Sequence, residues 1–261
     1  MSDENTAPPS RLSDDAKIDT RGYAMNVTFH PEIRLETKRG HDFAKTLSEI
    51  FVATQTEFKS DHWQFVLPQG STPNCFMSVE VEPANLQFLV SSPEYSQEWY
   101  ETKFAMLLRR FHEFFKPMMI LQSSTMMHGL LPVEGDARSY LALQIGNMDP
   151  ARVQHPFGRP IQLLGLRFFF PPFKVKKVEP GKGKNKKTTE AITDWQVNVR
   201  IESLLEDPTK LFIQAEADWI MPSKWDDERE KKVLAQLDTV ADFMATNIVG
   251  FLRHNPEPNQ E

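Results

Sequence analysis

Seven lysines, Lys174, Lys176, Lys177, Lys182, Lys184, Lys186 and Lys187, crowd one short segment in which Glu179 is the single opposing charge. The segment carries +6 in a chain whose net charge is −6, which leaves −12 for everything else. Such a run attracts phosphate or an acidic protein surface, including that of another copy of the chain, or it serves only as a solvated connection between strands. It holds no arginine and no aromatic residue. Base stacking and sequence readout therefore have no support in it, and any attraction to an anionic partner would be screened by salt. Its stretch Gly181 to Thr188 (GKGKNKKT) imitates a phosphate-binding glycine loop, but Lys186 stands where the second glycine belongs. The residues after Thr188 alternate like a strand, so the helix N-terminus that completes such a cradle is missing.

Other chemistry-bearing residues are scattered. The histidines are His30, His41, His62, His112, His128, His155 and His254, and none lies three to five residues from another or from Cys75, the spacing that puts two metal ligands on one helix turn or tight loop. Asp61-His62-Trp63 reads as a turn before a strand. Ser123 and Ser124 stand near Met126, Met127 and His128, but a nucleophile needs a base that is itself oriented by a third group, which adjacency does not supply. The carboxylates Glu80, Glu82, Glu216 and Asp218 fall on solvent-facing strand positions and would form an acid/base pair only if a cleft brought them about 5 to 10 Å apart. Met118, Met119, Met126 and Met127 make a soft apolar region that suits either a core or an adaptable binding groove. No G-x-S-x-G, H-E-x-x-H or S-x-x-K set with recognisable partners occurs, so no catalytic, metal or cofactor residue is assigned and no cofactor is expected.

The elements that must position these residues are read from the hydrophobic period. At 261 residues the chain is long enough to bury a core without staples, and its one cysteine, Cys75, excludes an internal disulfide and fits a reducing, cytoplasmic setting. Residues 1–22 lack the apolar core of a signal peptide and read as a disordered arm, as do residues 255–261. No run reaches the roughly 20 apolar residues that cross a bilayer, so no membrane association is expected.

Between the tails, residues 23–254 read as a single α+β domain. Met25 to Glu36 alternates around Pro31 as an edge or bulged strand, and His41 to Thr56 carries a helical stripe. Strands are expected at Trp63–Leu67, Phe76–Glu82 and Leu86–Ser91, the last two forming a hairpin. A long helix runs from Glu94 to Lys116, capped by Ser91 or Ser92 and stopped by Pro117. Ile161 to Phe170 (IQLLGLRFFF) is too apolar for a half-exposed strand and reads as central. Alternating strands come next around Trp195–Ile201 and Leu211–Trp219 across an Asp207-Pro208 turn, then a helix from Asp226 to Arg253 with an acidic start.

The expected architecture is a largely antiparallel sheet of about seven or eight strands covered on one face by about three helices. The order strand, hairpin, long helix occurs twice, which leaves open a duplication with halves near 23–150 and 151–254. The function expected is that of a non-catalytic binding or scaffold protein acting through protein–protein contacts or self-association. The alternatives are a hydrolase with a dispersed active site and a nucleic-acid-associated accessory factor using the lysine-rich segment.

Overall fold

A computed structural model describes residues 11–68, 75–148, 162–172 and 195–253, together with the backbone of 174–179 and 187–192. Its strands are β1 (Asp19–His30), β2 (Gln55–Phe58), β3 (Trp63–Val66), β4 (Phe76–Glu82), β5 (Asn85–Ser91), β6 (Met119–Pro132), β7 (Gly165–Phe170), β8 (Lys174–Glu179), β9 (Lys187–Ile192), β10 (Trp195–Ser203) and β11 (Lys210–Lys224). Nine of them form one sheet in the order β2-β3-β4-β5-β1-β6-β11-β10-β7, with every neighbouring pair antiparallel, while β8 and β9 pair apart. The class is α+β.

Period two explains the layering. Tyr23, Met25, Val27 and Phe29 of β1, Leu86, Phe88 and Val90 of β5, and Leu211, Ile213, Ala215 and Ala217 of β11 are all buried, and the residues between them face the other way. Among the described residues the helices cover only the first face. Helix α1 (Thr37–Leu47) sets Phe43 edge-on to Phe65 of β3, with ring centroids 5.8 Å apart. Helix α2 (Gln97–Phe115) buries Tyr100, Phe104, Leu107, Leu108 and Phe111, a 3.6-period stripe. Its N-cap is Ser96, whose side chain accepts from the Trp99 N–H, rather than Ser91 or Ser92, and Lys116 ends it in the left-handed conformation with φ 55° just before Pro117. Helix α3 (Ala137–Ser139) continues into a π-helical turn, Tyr140–Ile145. Helix α4 (Asp227–Asp242) buries Val233, Leu237 and Val240, passes through a π-helical stretch at Phe243–Ile248, and ends as α5 (Val249–Arg253). Gln97 Nε2 donates to Asp238 Oδ1 at 2.7 Å and ties α2 to α4.

Four expectations need correction. The first concerns the arm. Residues 1–10 and the tail 255–261 lie outside the described residues, but from Arg11 on the chain is held: Arg11 pairs with Glu134, Ala16 is buried, and Arg253 donates to the Asp14 and Ala16 carbonyls at 2.6 and 3.0 Å. Second, β1 is not at an edge. It lies between β5 and β6, with register shifts at Thr20/Gly22 and Thr28/Phe29, so the bulged reading is the one realised. The Met119–Pro132 segment, whose methionines suited either a core or a binding groove, is a long central strand beside it. Third, β7 is not central. It forms the rim of the sheet, and Pro171-Pro172 directly after it lack the N–H groups that an interior strand needs. Its apolarity comes from docking on the last helix, where Phe168 lies 5.5 Å from Phe251 and Phe170 6.4 Å from Phe243. Fourth, the lysine segment is no plain loop, since its ends form the β8–β9 hairpin.

Candidate interaction surface

Because the helices lie on one side, the second face of the sheet carries no helix among the described residues. Its positions line up across strands through the pairing register. One transverse row runs Glu57, Gln64, Glu80, Gln87, Asn26, Ser124, Asp218, Gln196, one residue from each of eight strands and polar throughout. The next row runs Val66, Ser78, Leu89, Ala24, Met126, Glu216, Asn198, and is apolar at its middle. Leu89, Met126 and most of the polar row are half-buried by their neighbours on the sheet.

Hydrogen bonds fix parts of the polar row. Gln64 Nε2 donates to Glu80 Oε1 at 3.0 Å, and Ser78 Oγ donates to the same oxygen at 3.2 Å. Ser124 Oγ donates to Asp218 Oδ1, while Gln196 Nε2 reaches Asp218 Oδ2 at 3.1 Å. Glu216, two residues away on β11, has its carboxyl held above the usual range by burial, with the Asp218 charge adding to the effect. His128 is pushed the other way, its imidazole pKa lowered by burial. That burial depends on a glycine. A Cβ on Gly22 would lie 2.3 Å from His128 Cε1 and 2.7 Å from the Val90 carbonyl oxygen, so only glycine lets β1 pass beneath the ring.

The face is acidic. By register Asp19, Glu57, Glu80, Glu82, Glu202, Glu216 and Asp218 share it with Arg167, Arg200, Lys210 and Lys224, an excess of carboxylates over cations. Arg200 is engaged by Glu202 at 2.5 Å and stacks over Phe212 at 5.5 Å. A polar depression of about 290 Å³ lies between Arg167, Arg200, Gln214 and Glu216. On the helix side, beyond β10, an apolar groove of about 530 Å³ is lined by Phe168, Phe170, Trp195, Phe243 and Phe251.

The residues singled out from sequence are dispersed. Glu80 and Asp218 share a row but are four strands apart, about 19 Å at the usual spacing. Ser124 and His128 share the open face of β6 four residues apart, about 13 Å along a strand and beyond hydrogen-bond reach. Ser123 points into the core with its hydroxyl unpartnered, and Met127 is buried while Met126 is on the open face. Cys75 is buried. Lys174, Lys176 and Lys177 sit on β8 and Lys187 on β9, where the register sets Lys176 opposite Glu190 and Glu179 opposite Lys187. Lys182, Lys184 and Lys186 lie outside the described residues, as do His155 and His254. Among the described residues, no three His, Cys, Asp or Glu side chains gather as a metal site would require, and no helix is long and apolar enough to cross a membrane.

Sequence reading missed the open-face row because each strand supplies it only one residue. The available signal was the period of two through Gln122, Ser124, Met126 and His128. Compared with known proteins, the chain matches no family model and no curated protein.

Proposed function

We propose that the chain is a non-catalytic binding or scaffold protein, and that its partner is a protein seated on the open face of the sheet. The observation that carries this reading is the eight-strand polar row flanked by Leu89, Ala24 and Met126. A broad surface of amides, carboxylates and a few apolar side chains suits protein contact. Its polar groups are spread at strand spacing instead of being turned toward one point, which is what catalysis demands. The excess of carboxylates selects a cationic partner surface and opposes phosphate, so a nucleic-acid role would fall to the lysine hairpin alone.

The duplication is part of the same proposal. From the centre outward the sheet reads β1, β5, β4, β3 on one side and β6, β11, β10, β7 on the other, and each series begins with a long strand, runs through a helix and a meander, and ends in a long helix. That order supports two like halves joined near Lys116 to Met118, not near residue 150. A buried unpaired Cys75 supports placement in the reducing cytoplasm.

The test is affinity capture from an extract of the source cells. A protein partner is expected to be retained by the parent chain, released by raised salt, and lost from the Leu89→Arg/Met126→Arg variant while kept by Phe251→Ser. Equal retention by the parent and the Arg variant would overturn the reading. So would turnover of generic ester or phosphoester substrates that Glu216→Gln abolishes.

A further inference from the structure

Among the described residues nothing pairs with the outer side of β7. Unpaired strand edges are templates for another strand, and proteins ordinarily blunt them with shortness, charge or proline. The opposite rim is treated in that way, since β2 is four residues long (QTEF) with three of them exposed. β7 is not. It reads GLRFFF, with Phe169 57% and Phe170 44% exposed.

Backbone phase shows what the rim offers. The Ser203 N–H donates to the Leu164 carbonyl at 2.9 Å, and residues that bond across an antiparallel ladder alternate with those that do not. Leu166, Phe168 and Phe170 therefore bond toward β10, and the N–H and C=O groups of Gly165, Arg167 and Phe169 point outward.

We infer that β7 pairs antiparallel with β7 of a second copy across a two-fold axis, joining two nine-stranded sheets edge to edge. The side chains choose the register. Directly opposite residues share a face, so only registers that preserve parity are allowed. Centred on Arg167, the pairing would line up Arg200, Arg167 and their two counterparts in one row, and like charges directly opposite are unfavourable. Pro171, which has no N–H to give, falls opposite Gly165 at the ends of a ladder centred on Phe168. In one centred on Phe169 it falls opposite Arg167, nearer the axis, where it leaves a single fully bonded pair. Centred on Phe168, the pairing sets Arg167 opposite Phe169 of the second copy, twice by symmetry, a cation beside an aromatic ring. Leu166 then meets Phe170 and Phe168 meets its own counterpart beside the apolar groove.

Of the three residues whose backbone groups point outward, Arg167 and Phe169 carry a cation and an aromatic ring two positions apart, which makes the edge complementary to itself. That selects a second copy over an unrelated strand. The +6 segment starts four residues beyond β7 and the rest of the chain carries −12, so two copies offer each other opposite charges. The inference is independent of what binds the open face.

Sedimentation velocity on the full chain, from micromolar to hundreds of micromolar, is expected to show a reversible species with the mass of two 30.1 kDa chains. Phe169→Pro removes an outward N–H and spares the bonds to β10, and it is expected to weaken the dimer at least about tenfold with unchanged circular dichroism. A second pair of variants fixes the register in a Cys75→Ala background. In the inferred register the two Phe168 Cα atoms lie about 4.5 Å apart, within disulfide reach. Phe168→Cys is expected to cross-link on oxidation, and Arg167→Cys is not. A monomer at every concentration, a dimer indifferent to Phe169→Pro, or cross-linking by Arg167→Cys alone would each overturn the inference.

Discussion

At the scale of single residues, the open face and the core hold polar groups in opposite circumstances. The Glu216 carboxyl has its folded-state pKa raised by burial and by Asp218, so the native state holds its proton more tightly than the unfolded chain does. The destabilisation from its charge is absent below the unfolded value and develops as pH rises through the folded one. Glu216→Gln is therefore expected to be more stable than the parent at neutral pH, and to lose that advantage below about pH 4. His128 behaves in the converse manner. Burial lowers its folded pKa from the ordinary 6.5, so the stability it contributes is present above that value and is lost as pH falls through the folded one. His128→Gln should flatten this acid-side loss, and urea denaturation of both variants across pH checks the two signs together. In the core, Thr125 is fully buried and its hydroxyl has no hydrogen-bond partner. Thr125→Val keeps the shape and removes the desolvated hydroxyl, so a gain of about 1 kcal/mol is expected by chemical denaturation.

At the scale of elements, local pattern and tertiary packing agree best in the helices. Leu237 is fully buried on α4, and Leu237→Ala should cost about 2–5 kcal/mol, whereas exposed Lys231→Ala should stay within about 0.5 kcal/mol. Equal losses in denaturant would contradict the observed helical phase. Ser96→Ala should cost about 1 kcal/mol, because it orphans the Trp99 N–H at the start of α2. These stripes were legible in the sequence because a helix with one covered face must repeat its apolar residues every 3.6 positions. The cap was not, since three serines precede α2 within six residues and only the path of the chain out of β5 decides among them.

At the scale of the whole molecule, the segment before β1 and the last described helix are stitched together. Arg253 at the end of α5 holds the Asp14 and Ala16 carbonyls, and Tyr140 donates its hydroxyl to the Leu252 carbonyl. Deleting residues 1–18 is therefore expected to lower stability by about 1–3 kcal/mol in chemical denaturation, although local composition marked this stretch as a dispensable arm. The hairpin β8–β9 is expected to be electrostatic in its effects. Replacing Lys174, Lys176, Lys177 and Lys187 by Ser should leave the unfolding midpoint unchanged and remove most of the salt dependence of any binding to an anionic partner. A salt titration of binding on parent and variant reads that difference.

Features that depend on one side chain and its near neighbours were already legible in the linear chain. The α+β class, the hairpin of β4 and β5, the alternation of β10 and β11, and the buried stripes of α2 and α4 all come from periods of two or 3.6 residues that burial of a single face imposes. Which strands lie side by side, beyond the local hairpins, emerged only from the folded arrangement. The alternation in Met25 to Phe29 is the same at a rim or in mid-sheet, and it is the pairing with β5 and β6 that makes β1 central. The run GLRFFF is apolar whether two layers cover it or one helix and solvent do, so its place at the rim could not be read from composition. The open-face row gathers Glu80 and Asp218 from positions 138 residues apart through a register that local pattern does not encode. Strand order is fixed by long-range hydrogen-bond pairing and by where the helices fit, and those are properties of the assembled sheet.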